Sequence, residues 1–146
     1  MNSDKRKSMS GYVFIASNGA ITWSSKKQAI QAQSSTEAEY VALSEAARKA
    51  CWLRNLHTEL GLLSSNTPTK LYGDNEGSLV MARNPQLHQR SKHIDLRWHW
   101  IRQMVQDNVI NVESCCNPKQ TADVLTKALP RPKHTKHIAE MGLASI

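Results

Sequence analysis

Three acidic side chains stand where the chain begins a helix or passes from strand to helix: Glu39 in "QSSTEAEYVALSEAARKA", Asp74 in "LYGDNEG" and Asp123 in "TADVLTKALP". Carboxylates held together repel one another unless a divalent cation sits among them, and hard oxygen donors suit Mg2+ or Mn2+. Gathered at one sheet edge, the three could hold metal and activate water. Each also has a plain structural reading. Thr36-x-x-Glu39 has the spacing of a capping box, Asp74 stands where it could cap the next helix, and Asp123 meets the positive end of a helix dipole in a first turn. On these residues alone, capping is the favoured role of Glu39.

The elements that must position these acids follow from periodicity. "GYVFIASNGAITWSS" has apolar residues on both sides of Asn18-Gly19, a hairpin signal, and predicts strands over 11–17 and 20–24. A third extended piece is expected over 27–33. A long helix opens at Thr36, with Leu43, Ala46, Ala47, Ala50, Leu53 and Leu60 at three- and four-residue spacing, and Gly61 stops it. One turn back from Leu43 along that stripe is Glu39, which places Glu39 toward the sheet and Glu37 toward solvent.

A short strand then ends near Asp74, and a small helix runs to about Arg83, where Asn84-Pro85 ends it. A helix over 94–106 carries Ile94, Trp98, Ile101 and Val105 on one face. "VINVES" reads as a strand, and a final helix starts near Thr121 until Pro130 and Pro132 break it. The order describes a mixed α/β sheet with helices on its faces.

At 146 residues with 40% hydrophobic and 21% charged content, the chain suits one soluble domain. No apolar run approaches the ~20 residues of a membrane-spanning helix, and the polar start Asn2 to Arg6 is unlike a secretory leader, so an intracellular address, cytoplasmic or nuclear, is expected. Cys51, Cys115 and Cys116 lack C-x-x-C spacing and read as reduced thiols; His88, His93 and His99 are too irregular for a zinc site.

The net charge is +7, and from Arg83 to Arg102 five Lys or Arg face the single Asp95. A phosphate-rich partner is the natural inference, with a solvated basic face as the alternative. Arg90, Lys92, His93 and Arg97 are the candidates to hold a nucleic-acid backbone, with Trp100 as the exposed ring for stacking; Trp23, Trp52 and Trp98 are expected in the core.

"SGYVFIASNGAITWSSKKQ", "SSTEAEYVALSEAARKACWLRNLHTELG", "LYGDNEGSLVMARNP", "HQRSKHIDLRWHWIRQMV" and "TADVLTKALP", in this order, resemble the ribonuclease H domain of copia-type LTR retrotransposon polyproteins. The resemblance runs from about Asp4 to Pro132. It implies a ribonuclease H-like fold over residues 1–132, followed by a basic tail over 133–146, and Mg2+- or Mn2+-dependent hydrolysis of RNA paired with DNA. Within the matching motifs it makes Glu39, Asp74 and Asp123 the metal-binding, catalytic acids of a two-ion centre.

The family's first catalytic Asp lies on a central strand upstream of the hairpin, and only nine residues precede Ser10 here. The expectation is a domain shortened at that strand, with Asp4 a poor substitute and cation binding weakened. Such a domain is expected to have lost nuclease activity and to act by binding nucleic acid or protein. The alternative is a working nuclease whose missing strand comes from a partner protein or by exchange within a homodimer. The loop before Asp123, "NPKQ", offers Lys119 in place of a histidine.

Overall fold

The computed structural model describes residues 7–63, 66–83, 92–115 and 120–143, with the backbone alone at 81, 83, 92–95 and 98. The elements in chain order are β1 (Met9–Ala16), β2 (Gly19–Lys27), α1 (Ser35–Glu59), β3 (Thr69–Gly73), α2 (Glu76–Arg83), α3 (Lys92–Gln106), β4 (Ile110–Ser114), a 3-10 helix (Thr121–Leu125) and α4 (Arg131–Glu140). The class is mixed α/β. The described strands pair as two two-stranded sheets, β1 with β2 and β3 with β4, where the sequence leads one to expect a single mixed sheet. Two compact units contain them: Ser35–Cys115, and Met1–Ser34 together with Cys116–Ile146.

In the Ser35–Cys115 unit, β3 and β4 run parallel with Thr69 opposite Ile110 and Gly73 opposite Ser114. A parallel pair needs a crossover, which α2 and α3 supply. Leu71, Ile110 and Val112 are buried from the strands, and Tyr40, Val41, Leu43, Ala47, Ala50 and Leu53 from α1, which touches both strands and both crossover helices. Ala47 and Ala50 are fully buried, and their small side chains let the helix approach closely. Arg54 donates from Nη1 to the Thr67 carbonyl and to Thr69 Oγ1, tying α1 to the entry of β3.

Two helix ends of this unit follow one device. Gly61 has φ +70°, Leu62 N–H donates to the His57 carbonyl and Gly61 N–H to that of Thr58. This is a Schellman termination, and Gly61 stops α1 as its sequence position predicts. Asn108, at φ 57°, ends α3 with the same bonds, Val109 to Met104 and Asn108 to Val105.

In the other unit, β1 and β2 form the expected antiparallel hairpin, but the turn lies one residue earlier than Asn18-Gly19. Ser17 and Asn18 both have positive φ (50° and 64°), as a two-residue primed turn requires, and Ala16 pairs with Gly19. A register shift between Phe14 and Ile15 absorbs the displaced residue at Ile21. The expected third strand over 27–33 does not form. Gln28 instead turns back onto the start of β1, its N–H donating to the Ser8 carbonyl (2.8 Å) and its Nε2 to Ser10 Oγ (2.8 Å).

The C-terminal end also differs from expectation. Thr121 opens a short 3-10 helix, and Pro130 and Pro132 begin α4 instead of ending a helix. A proline in a first turn lacks only an N–H that no carbonyl awaits, and its fixed φ suits the start. The basic tail is therefore ordered over Arg131–Glu140. Buried His137 lies 2.8 Å through Nδ1 from Glu140 Oε2, which also accepts from Thr121 Oγ1 at 2.7 Å, linking α4 to the 3-10 helix.

The α4 terminus is seated on the hairpin: Ala20 N–H donates to the Met141 carbonyl at 2.9 Å. Gly142 has φ +74°, and a Cβ there would meet the Asn18 carbonyl oxygen at 2.5 Å. Gly142→Ala is thus expected to destabilise the protein by about 1–3 kcal/mol, read as a lower urea midpoint. Gly19→Ala, where a Cβ meets nothing within 4 Å, should shift the midpoint little, and equal shifts would refute this seating.

Partial burial pushes the Glu140 carboxyl up, but hydrogen bonds from His137 and Thr121 with the charges of His137 and Lys136 outweigh it and hold the group below its ordinary value. A carboxyl lowered by folding stabilises above its unfolded pKa, and that contribution disappears as pH falls through the folded value. Thermal midpoints of wild type and Glu140→Gln should therefore differ near neutrality and converge in acid below the usual glutamate range. Parallel curves down to strong acid would contradict it.

Candidate functional site

Glu39 and Asp74 belong to the Ser35–Cys115 unit and Asp123 to the other. The first turn of α1 reverses the expected facing: Glu37 is buried, at 9% exposure, and Glu39 is exposed. The buried stripe steps back from Leu43 by three residues to Tyr40 and then to Glu37, not by four to Glu39. With α1 beginning at Ser35, Ser34 takes the cap position and Glu37 the third helical position, so capping-box spacing falls on Ser34-x-x-Glu37. The capping role that Glu39 would have had therefore passes to Glu37 by position.

Asp74 is half-buried immediately after β3, whose last residue Gly73 accepts from Cys115 N–H at 2.9 Å. It does not cap α2. Asn75 does: Ser78 N–H donates to Asn75 Oδ1 at 2.9 Å, Leu79 N–H to the Asn75 carbonyl at 3.2 Å, and Ser78 Oγ to the same carbonyl at 2.8 Å. A Cβ added to Gly77 would lie 3.1 Å from both Thr36 Cγ2 and Thr36 Oγ1. The starts of α1 and α2 thus meet through a glycine, which brings the Thr36–Glu39 turn beside the Asp74–Gly77 turn.

Asp123 is buried at 8% exposure in the 3-10 helix, and its Oδ2 pairs with Lys127 Nζ at 2.9 Å. The helix is held by the Thr121 to Glu140 bond and by Ser25 Oγ donating to the Leu125 carbonyl. Among the described residues, no three His, Cys, Asp or Glu side chains gather in a group that could hold a metal ion.

Of the basic positions, Arg90 and the side chains of Lys92 and His93 lie outside the described residues, as do Lys119 and the Trp98 side chain. Arg97 and Trp100 are half-buried on α3. With Leu96 and, from α1, Arg48, they line an open cleft of about 430 Å³. Arg97 Nη1 and Arg102 Nε are buried with no hydrogen-bond partner among the described residues. Trp23 and Trp52 are exposed, contrary to the core expectation. Trp52 falls off the Ala50/Leu53 stripe and carries Lys49 Nζ 4.7 Å from its ring centroid; Trp23 stands on the outward alternation of β2.

Arg48, Asn75 and Lys127 escaped the sequence reading. Asn75 carried a legible signal, an Asn between strand and helix, and Lys127 another, the four-residue spacing from Asp123. Arg48 carried none, because its value lies in what α3 brings opposite it.

The chain is 43% identical over 130 residues, 89% of its length, to the "Retrovirus-related Pol polyprotein from transposon TNT 1-94" of Nicotiana tabacum. Over 145 residues it is 37% identical to the corresponding polyprotein from transposon RE2 and 35% identical to that from RE1, both of Arabidopsis thaliana. The chain is related to a segment of retrotransposon Pol polyproteins. It spans 10% of the length of each of these relatives. No protein-family profile and no solved structure matches it. No helix among the described residues is long and apolar enough to cross a membrane.

The capping assignment in this Pol-related segment separates two neighbouring residues. Asn75→Ala should cost about 0.5–2 kcal/mol of stability, whereas Asp74→Asn should leave the thermal midpoint nearly unchanged. The opposite ranking would return the cap to Asp74.

Proposed function

We propose that the chain is a ribonuclease H-like region of a copia-type Pol polyprotein that binds RNA/DNA hybrid by charge and does not cut it unaided. The order of its motifs, its Pol relatives and the strand-to-helix turn at Asp74 support the ribonuclease H-like part. The net charge of +7 and the guanidinium groups of Arg48 and Arg97 beside Trp100 support nucleic-acid binding.

The observation that carries the absence of unaided cleavage is the Asp123–Lys127 pair. Asp123 Oδ2 lies 2.9 Å from Lys127 Nζ, so a divalent cation would compete with the ammonium for that oxygen. Within Ser35–Cys115, Glu39 and Asp74 are joined by no third described His, Cys, Asp or Glu side chain in a group that could hold a metal ion, and two acids fall short of the donors that a two-ion Mg2+ or Mn2+ centre needs. The basic groups of α1 and α3 supply the affinity.

The purified chain should bind labelled RNA/DNA hybrid with an affinity that falls steeply as salt rises, and should leave the RNA strand intact with Mg2+ or Mn2+. Cleavage that disappears in Asp74→Asn would overturn the non-cutting part and favour an active nuclease. Salt-insensitive binding would overturn the electrostatic part.

A further inference from the structure

The cleft between α1 and α3 combines two chemistries. Leu96 and Trp100 are four residues apart on α3 and Arg97 and Trp100 three apart, so all three share one face of the helix. The α1 residue Arg48 closes the other side. The cavity of about 430 Å³ falls in the ~300–1,000 Å³ range of small-ligand sites. An indole and a leucine offer an apolar wall, while the guanidiniums of Arg48 and Arg97 offer anion donors.

A nucleotide carries a planar base and an anionic phosphate within one residue. Paired bases in a hybrid are stacked on each other and cannot reach an indole, whereas an unpaired base can. We infer that this cleft is a subsite for one unpaired nucleotide flanking a duplex, its base stacked on Trp100 and its phosphate held by Arg48 and Arg97. This rests on the nucleic-acid reading above and adds to it a preference for a duplex with a single-stranded end.

The test compares, with the full chain and by fluorescence anisotropy, a blunt RNA/DNA hybrid and the same hybrid bearing a short unpaired thymidine tail. The tailed hybrid should bind roughly tenfold more tightly, the scale of one stacked base. Trp100→Ala and Arg48→Gln should each bring the ratio of the two affinities toward one, and Trp100→Phe should keep most of it. Because Arg48 is exposed, its variant tests the site without disturbing the core. Equal affinities with blunt binding intact, or a preference that survives Trp100→Ala, would overturn the subsite alone. Poly-glutamate displacing the tailed hybrid as well as single-stranded thymidine does would reassign the cleft to acidic peptides. Failure of both hybrids to bind would overturn the nucleic-acid reading and the subsite together.

Discussion

Two parallel strands of five residues each cannot support themselves, and the Ser35–Cys115 unit is organised around that constraint. A parallel pair this short persists only under apolar cover, and here the face of Leu71, Ile110 and Val112 receives it while Tyr72 on the other face is exposed. The 25-residue helix α1 supplies the covering surface, and it does so through a stripe of Ala47, Ala50 and neighbouring larger residues that lets helix and strands approach closely. Once α1 is laid on β3 and β4, its first turn lies where β3 ends. Contact between Thr36 and Gly77 then places the helix start that carries Glu39 next to the turn that carries Asp74. The positions of the acids are consequences of packing, and so is the opposition of Arg48 to Arg97 and Trp100.

Much of this was legible where periodicity speaks over long windows. The helical spacing from Leu43 to Leu53, the stop at Gly61, the short strand before Asp74 and the helix ending at Gln106 need only local rules. Phase was harder to read. A helix with 3.6 residues per turn allows a step of three or four from Leu43, and Tyr40 and Glu39 are adjacent; only the depth of the partner surface decides which is buried. Burial of Tyr40, whose hydroxyl is pushed well above its ordinary pKa by desolvation with Arg102 pulling it back, turns Glu37 inward and Glu39 outward. The hairpin shows the same limit at smaller scale. Asn18-Gly19 marks a turn correctly, but whether the turn is centred there or on Ser17-Asn18 depends on strand register, which the bulge at Ile21 sets.

The acids themselves were found through motif order, not through composition or spacing, because each has an innocent local role. The structure redistributes those roles by position: Asn75 caps α2, capping-box spacing falls on Ser34 and Glu37, and Asp123 is neutralised by Lys127. Neutralisation by a lysine one helical turn away is local chemistry. It needs only the 3-10 helix and the two residues after it, and it gives a buried carboxylate a counter-charge. Proline defeated the reading of the C-terminal end for a related reason. The same residue ends one helix and starts another, and only the segment that follows shows which applies.

The two units are stabilised by different physics. Ser35–Cys115 holds nearly all the buried hydrophobic side chains described, whereas in the other unit Met141 alone among the described residues is a buried hydrophobic, and Ile15, Ile21 and Trp23 of its hairpin are exposed. That unit is knitted by hydrogen bonds instead: Gln28 to Ser10, Thr121 and His137 to Glu140, Ser25 to the Leu125 carbonyl. Each net contribution of this kind is about 0.5–1.5 kcal/mol, and a two-stranded hairpin is marginal without an apolar face to rest on. Asp123 therefore sits on the less firmly supported framework and Asp74 on the firmer one. The binding proposed for Arg48, Arg97 and Trp100 draws only on the stronger framework.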